Sequence, residues 1–339
     1  MSQARAVRSS GGVATMNAIV APKYGSSAVL RTEVMDRPEP GPGEVLVRVR
    51  AAAVCSGDVH LLTGKPYLIR LMGFGVRRPR YRVIGHDLAG DVVAVGPDVH
   101  AFRIGDEVYG AVVSGAFAEY VRVPVDTLAR KPAELTFEQA AAVPDSGMTA
   151  LQGLRDVGQL RAGRSVLING ASGGVGTFAI QIAKALGAQV TAVCSTRHAE
   201  AVRALGADHV IDYTTADFTA QSGRYDVLLD LVGNRSLADC RRILTPNGVF
   251  VSSAGAPGGN WLGPVSWIGK VVLADIFATQ TLRPLLMRPR AADLDYLTDL
   301  AARGLLQPLI ERRYPLADAA AAVAHVADGH AQGKTVILV

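Results

Sequence analysis

The segment Ser165-Val-Leu-Ile-Asn-Gly-Ala-Ser-Gly-Gly-Val-Gly176 decides the fold. Its first half is a short apolar run of the kind that forms a buried strand, and it runs straight into a glycine-rich turn. Thr177-Phe-Ala-Ile-Gln-Ile-Ala-Lys184 follows, with apolar residues at helical spacing. Strand, glycine turn and helix in that order suit a dinucleotide. Glycine lets the backbone approach a pyrophosphate, whose charge rests on the helix N-terminus. The spacing is Gly170-x-x-Gly173-x-x-Gly176 rather than G-x-G-x-x-G, so the placement between strand and helix carries the reading. A plain glycine turn in an α/β sheet is the alternative.

Downstream, apolar strands at Gln189–Val193, Tyr225–Asp230 and Val249–Val251 alternate with helical stretches, which predicts a doubly wound parallel sheet. Upstream the texture differs. Short β-branched runs at Glu44–Arg50, Asp91–Val95, Glu107–Tyr109 and Tyr120–Val123, broken by glycine and proline, predict a β-rich barrel or sandwich. The tail holds a helix-like run, Leu316 to Asp328, and a strand, Lys334 to Val339, expected to return to the first unit. The chain therefore divides into a flexible leader (1–15), a β-rich unit (16–150 and 285–339) and a nucleotide-binding unit (151–284).

The chain has 339 residues, 49% hydrophobic and 19% charged, which excludes a disordered protein. No run approaches the roughly 18 apolar residues of a membrane span. The leader lacks the apolar core of a secretory signal. Three cysteines, Cys55, Cys194 and Cys240, make no disulfide framework and point to a reducing, cytoplasmic setting. The net charge of +5 is mostly dispersed, which argues against nucleic acid and for a small-molecule substrate.

Cofactor choice is read about 20 residues beyond the glycine turn, where an acid would hold the ribose of NAD. Here the strand ends in Ser195-Thr196-Arg197. Hydroxyls and a guanidinium suit the 2′-phosphate of NADPH. Glu200 is near, but helical spacing places it on a solvated face.

Several motifs taken together resemble the medium-chain dehydrogenase/reductase superfamily, which holds zinc alcohol dehydrogenases, quinone oxidoreductases and enoyl reductases. In the first unit they are Ala52-Ala-Val-Cys-Ser-Gly-Asp-Val-His60, Gly85-His-Asp-Leu-Ala-Gly90 and Gly105-Asp-Glu-Val-Tyr109. Gly170–Gly176, Leu205-Gly-Ala-Asp-His-Val-Ile-Asp-Tyr213 and His330-Ala-Gln-Gly-Lys334 follow. The resemblance implies an α/β chain with a GroES-like β-rich catalytic domain, a Rossmann domain inserted into it, and an active site between them. It implies cofactor contacts at Ser172, Gly173, Gly174, Val175, Ser195, Arg197 and Tyr213, with Val232 and Ser253 near the nicotinamide. It also implies a homodimer.

The superfamily divides over a catalytic zinc. Cys55, His86 and Asp145 stand at positions that resemble its three protein ligands, and thiolate, imidazole and carboxylate are zinc donors. Asp87 takes the place of a glutamate that can approach the metal, and Asp58 resembles the acceptor of the ligand histidine's second N–H. The relay hydroxyl of the family is missing at Gly57, so Ser56 or His60 would pass the proton. The structural-zinc lobe is absent, since no cysteine lies between Asp91 and Ser114. Read singly, Cys55 is a small buried hydrophobe, His86 a turn histidine and Asp145 a helix cap.

Three functions stay open: zinc-assisted hydride transfer between NADPH and a bulky apolar carbonyl or alcohol, zinc-independent reduction of a quinone or enone, and non-catalytic binding of NADPH. An apolar loop, Leu61–Gly75, precedes the basic Val76-Arg-Arg-Pro-Arg-Tyr-Arg82 and is read as a pocket wall. A second apolar zone carries Trp261, Trp267 and Phe277 and is read as pocket or dimer contact; Tyr67→Ala and Trp267→Ala are expected to lose most activity.

Overall fold

The computed structural model describes residues 14–253, 259–329 and 331–339, and of 259–265 the backbone alone. The β-branched runs of the first unit form β1 (Thr15–Val20), β2 (Arg31–Asp36), β3 (Glu44–Val54), β4 (Asp87–Val95), β5 (Glu107–Ala111), β6 (Tyr120–Pro124) and β7 (Leu128–Arg130). β1 and β2 make an antiparallel ribbon. β3 is the spine of the main sheet. It pairs with β4 and, along its first half, with β6, while β4 leads through β5 to β7. From Ala51 to Val54 every residue of β3 is buried, because its two faces then meet different cores. Ala51 and Ala53 join the cluster that continues into the nucleotide unit, and Ala52 and Val54 join the barrel's own.

The second sheet contains β8 (Ser165–Asn169), β9 (Gln189–Cys194), β10 (His209–Asp212), β11 (Tyr225–Asp230), β12 (Leu244–Ser252) and β13 (Thr281–Pro284). All are parallel, in the order β10-β9-β8-β11-β12-β13. The order reverses between β8 and β11, so a ligand crevice opens beyond their carboxyl ends.

α1 (Ser56–Thr63), α2 (Phe137–Ala142) and α3 (Pro144–Leu151) belong to the first unit; α4 (Gly174–Ala185), α5 (Ala199–Ala204), α6 (Leu237–Arg242) and α7 (Gly259–Ile276) belong to the second. α4 is buried from Gly176 to Ala183, which suits a helix covered by the sheet on one side and α3 on the other. The chain then runs through α8 (Ala291–Ala302), β14 (Ile310–Pro315), α9 (Ala319–Ala327) and β15 (Lys334–Leu338). β15 returns to the first unit and lies antiparallel on β3, with Thr335 opposite Val54.

Several strands escape sequence reading. β10 is four residues long, and half of β13 is Arg283 and Pro284. The supposed leader ends earlier than residue 15, since Thr15 already pairs with Asp36; its other residues up to 13 lie outside the described ones. Trp267 is a correction: it is buried in the core under β12, its Nε1 donating to Ser252 Oγ at 2.9 Å, so it is no substrate wall. Trp261 lies outside the described side chains.

Candidate active site

Cys55 follows β3 directly and caps α1, and Asp58 stands three residues into that helix. Asp58 Oδ2 accepts from the Cys55 N–H at 2.8 Å, while Oδ1 pairs with His86 Nδ1 at 2.6 Å. One buried carboxylate thereby fixes the helix start and the imidazole together. Cys55, Asp58 and His86 bring their ligand atoms within 4.8 Å of one another. The space between thiol and imidazole is open because residue 57 is glycine: a Cβ there would sit 3.2 Å from Cys55 Sγ and 3.9 Å from His86 Nε2.

Behind the cluster lies a second buried knot. Lys334 Nζ meets Asp87 Oδ2 at 3.1 Å and Ser146 Oγ at 3.2 Å, and Asp87 Oδ1 accepts from the Asp145 N–H at 2.9 Å. Burial pushes the Cys55 thiol well above its usual value, reinforced by Asp145, Asp58 and Asp87. Burial opposes the charge on His86, but Asp58, then Asp145 and Asp87, outweigh it and hold the imidazole up at about 9. Burial raises the Asp87 carboxyl against the pull of Lys334.

The cofactor crevice begins at the glycine turn. A Cβ on Gly176 would meet the Gly170 carbonyl oxygen at 2.3 Å, so the start of α4 packs directly on the turn only with glycine there. Ser172, Gly173, Gly174 and Val175 are half-buried at the α4 N-terminus. The tail clamps this turn: Gly333 N–H donates to the Ser172 carbonyl at 2.9 Å, and Lys334 passes beside Gly174. Ser195 is buried and Arg197 exposed beyond β9; Glu200 is exposed, as its spacing predicts. Tyr213, Val232 and Ser253 are exposed at the carboxyl ends of the strands. Thr196 O–H donates to Asp212, whose carboxyl Thr196 and Thr214 hold below the usual range.

Other expectations fare differently. Asp145 stands outside the three-residue cluster, half-buried in the first turn of α3, whose cap is Val143. Ser56 and His60 are exposed on α1, and His60 Nδ1 lies 3.1 Å from the Lys65 carbonyl oxygen, so neither joins the cluster. The apolar loop contributes Leu61, Leu62 and Phe74 to a narrow neck that ends at Asp58 and His86, but Leu71 and Met72 face outward. His330 lies outside the described residues.

Two residues were missed. Lys334 is buried at the seam of both units, and only its contact across the chain reveals it. Asp230 ends β11, where its Oδ1 accepts from Asn169 Nδ2 at 2.8 Å and from the Val232 and Gly233 N–H groups. It thus pins the sheet at the switch point and shapes the turn that carries Val232; the acid at a strand's carboxyl end was a readable signal.

The donor set fits a zinc ion: a thiol, an imidazole whose other nitrogen is held by a carboxylate, and further carboxylates that favour a cation. Both Asp58 oxygens are engaged, by the Cys55 N–H and by His86 Nδ1, which suits Asp58 to orientation and leaves the Cys55 thiol and His86 Nε2 as the cluster's donors.

Residues 41–133 match the alcohol dehydrogenase GroES-like domain, and residues 205–337 match the zinc-binding dehydrogenase domain. The mitochondrial NAD(P)H oxidoreductase RTN4IP1 of Bos taurus is 36% identical over 95% of this chain and 89% of its own. The chloroplast envelope quinone oxidoreductase homolog of Arabidopsis thaliana is 32% identical over 95% and 98%. Among solved structures, the quinone oxidoreductase from Coxiella burnetii superposes with a TM-score of 0.85 at 31% identity, covering 96% of this chain and all (100%) of that one. These relatives overturn the cytoplasmic expectation, since their names place the first two in mitochondria and chloroplasts. Free cysteines suit any reducing compartment and do not distinguish one from another. No helix among the described residues is long and apolar enough to cross a membrane. A GroES-like barrel joined to a six-stranded dinucleotide sheet, in a chain alike over almost its whole length to these proteins, identifies it as a nicotinamide-dependent oxidoreductase of the medium-chain dehydrogenase/reductase superfamily.

Proposed function

We propose that this chain reduces a bulky, largely apolar carbonyl compound with hydride from NADPH. One observation carries the reading: the buried Cys55–Asp58–His86 cluster ends an apolar neck on one side and backs onto Asp87, Lys334 and the pyrophosphate turn on the other. Substrate and cofactor would meet there in a fixed orientation, and such positioning supplies much of an enzyme's rate.

In this mechanism the N–H groups from Ser172 to Val175 hold the pyrophosphate. Ser195 and Arg197 receive the 2′-phosphate, Tyr213 contacts the cofactor, and Val232 and Ser253 border the nicotinamide. Asp58 holds His86 in one tautomer, with Nε2 turned to the reacting space. Cys55, His86 and Asp145 would hold a zinc ion, which supplies Lewis-acid polarisation of the carbonyl oxygen. Ser56 or His60, exposed on α1 between the cluster and solvent, would pass the proton that completes the alcohol.

A second reading, metal-free reduction of a quinone or enone, is supported by the missing hydroxyl at Gly57 and by the names of the relatives. Hydride would then add to the β-carbon of the enone, and the resulting enolate would take a proton from solvent to give the saturated carbonyl. The test is metal analysis of protein purified without chelator, beside His86→Ala, with NADPH oxidation by simple ketones, enals and quinones. About one equivalent of zinc, lost in the variant, selects the first reading; metal-free turnover of enals or quinones selects the second. NADPH oxidation by none of them overturns both. A homodimer is proposed as well, supported by the exposed apolar residues Leu273 and Ile276 on α7 and Phe277 just beyond it, before edge strand β13; a monomer by light scattering overturns it.

A further inference from the structure

Gly75 turns the chain so that arginines share one cavity. Its φ is +103°, and a Cβ there would meet the Arg78 carbonyl oxygen at 2.2 Å. Only glycine lets the loop fold back at that point. The Arg80 N–H closes it by donating to the Phe74 carbonyl at 2.8 Å, and the Tyr24 hydroxyl donates to the same oxygen at 2.9 Å.

The cavity that results measures about 640 Å³, and Arg77, Arg78, Arg80 and Arg82 line it with Val76 and Pro79. No carboxylate lines it among the described residues. Arg82 is engaged by Glu33 at 2.9 Å, but among the described residues Arg77 and Arg78 have no acid within ion-pair reach. Like charges around one space repel, and the arrangement gains most when an anion enters. The planar fork of arginine matches carboxylate and phosphate oxygens.

The cavity borders the candidate active site. Pro79 lines both the cavity and the neck, where Leu61, Phe74 and Tyr81 lead to His86 and Asp58. The neck encloses about 20 Å³, room for a single water, and the edge-on rings of Phe74 and Tyr81, 6.1 Å apart, narrow it.

We propose that the arginine-lined cavity holds the anionic end, a carboxylate or phosphate monoester, of a chain-like apolar substrate whose reactive carbonyl reaches the cluster through the neck. The inference deepens the reductase reading and rests on it for the reacting end.

The test has a binding arm that needs no turnover. The protein is titrated calorimetrically with a long-chain saturated carboxylate, the matching phosphate monoester and the matching neutral alcohol. At least one anion should bind about tenfold tighter than the alcohol, with the advantage shrinking in salt and vanishing in an Arg77→Ala/Arg78→Ala variant. Both positions are exposed, so the variant folds. The tighter anion names the headgroup. Equal affinities for all three, or an advantage that survives the variant, mean a merely solvated loop and overturn the proposal.

The kinetic arm compares an enone chain ending in a carboxylate with its methyl ester. The ratio of their kcat/KM values should be about ten in the wild type and near one in the variant. An ester turned over as well as the acid overturns the anionic end and leaves the reductase reading intact. No turnover of either, with tight anion binding retained, overturns the reductase reading alone.

Discussion

Lys334 Nζ lies 3.1 Å from Asp87 Oδ2, joining residues 247 positions apart in a pair whose side chains are 2% and 0% exposed. The pair ties the last strand to the residue after His86 and runs past the glycine turn at Gly174, so one contact spans both halves of the site. Lys334→Met leaves Asp87 buried without its cation. Loss of one partner of a buried pair costs about 3–5 kcal/mol, and denaturant unfolding should show it. The double variant Lys334→Met/Asp87→Leu should recover part of that loss. A single variant within about 0.5 kcal/mol of the wild type would mean the pair is idle.

Asp58→Asn keeps the size of the side chain but removes the acceptor that fixes His86. Loss of such an orienting carboxylate typically lowers metal affinity or activity about 10- to 100-fold. Metal content and kcat/KM should fall together, and by more than the loss of thermal stability accounts for, because the remaining folded protein lacks the acceptor for His86. Full activity would remove Asp58 from the positioning machinery.

Arg197→Ala tests the cofactor. The KM for NADPH should rise about tenfold, as expected on losing one charge-assisted contact to a phosphate, with the KM for NADH changed far less. An equal change for both cofactors would show that Arg197 does not read the 2′-phosphate.

At Gly176 an added Cβ would fall 2.3 Å from the Gly170 carbonyl oxygen; at Gly269, on α7, it would meet nothing within 4 Å. Gly176→Ala should therefore abolish NADPH binding in a fluorescence titration. Gly269→Ala should bind normally and gain up to about 1 kcal/mol, because alanine favours the helix. Normal binding by Gly176→Ala would contradict the close approach of helix and turn.

Trp267→Ala should cost about 3–5 kcal/mol of stability, as deletion of a large buried aromatic does. KM in the surviving folded protein should be unchanged. A raised KM with unaltered stability would return Trp267 to the substrate wall.

Much of the fold was legible because its signals are local. The strand and helix on either side of Gly170–Gly176 announce themselves through apolar period and glycine position, and the structure repeats them at β8 and α4. The short strands β10 and β13 gave no such signal, since pairing with longer neighbours, not their own residues, makes them strands. At the site, Cys55, Asp58 and His86 were readable from motifs and do converge. Asp145, taken from the same resemblance, stands outside their cluster, and Ser56 and His60 face solvent. A motif places a residue on an element but does not aim its side chain.

From the chain alone came everything that neighbours along the backbone control: the glycine turn, the run of Ser195 to Arg197, the two textures that became two units. Tertiary structure alone decided which distant groups meet. Asp58 reaches His86 across 28 positions, and Lys334 finds Asp87 only because β15 docks on β3. Trp267 went to the core rather than to a pocket for the same reason: burial depends on what the rest of the chain stacks against a residue, and no local pattern encodes that.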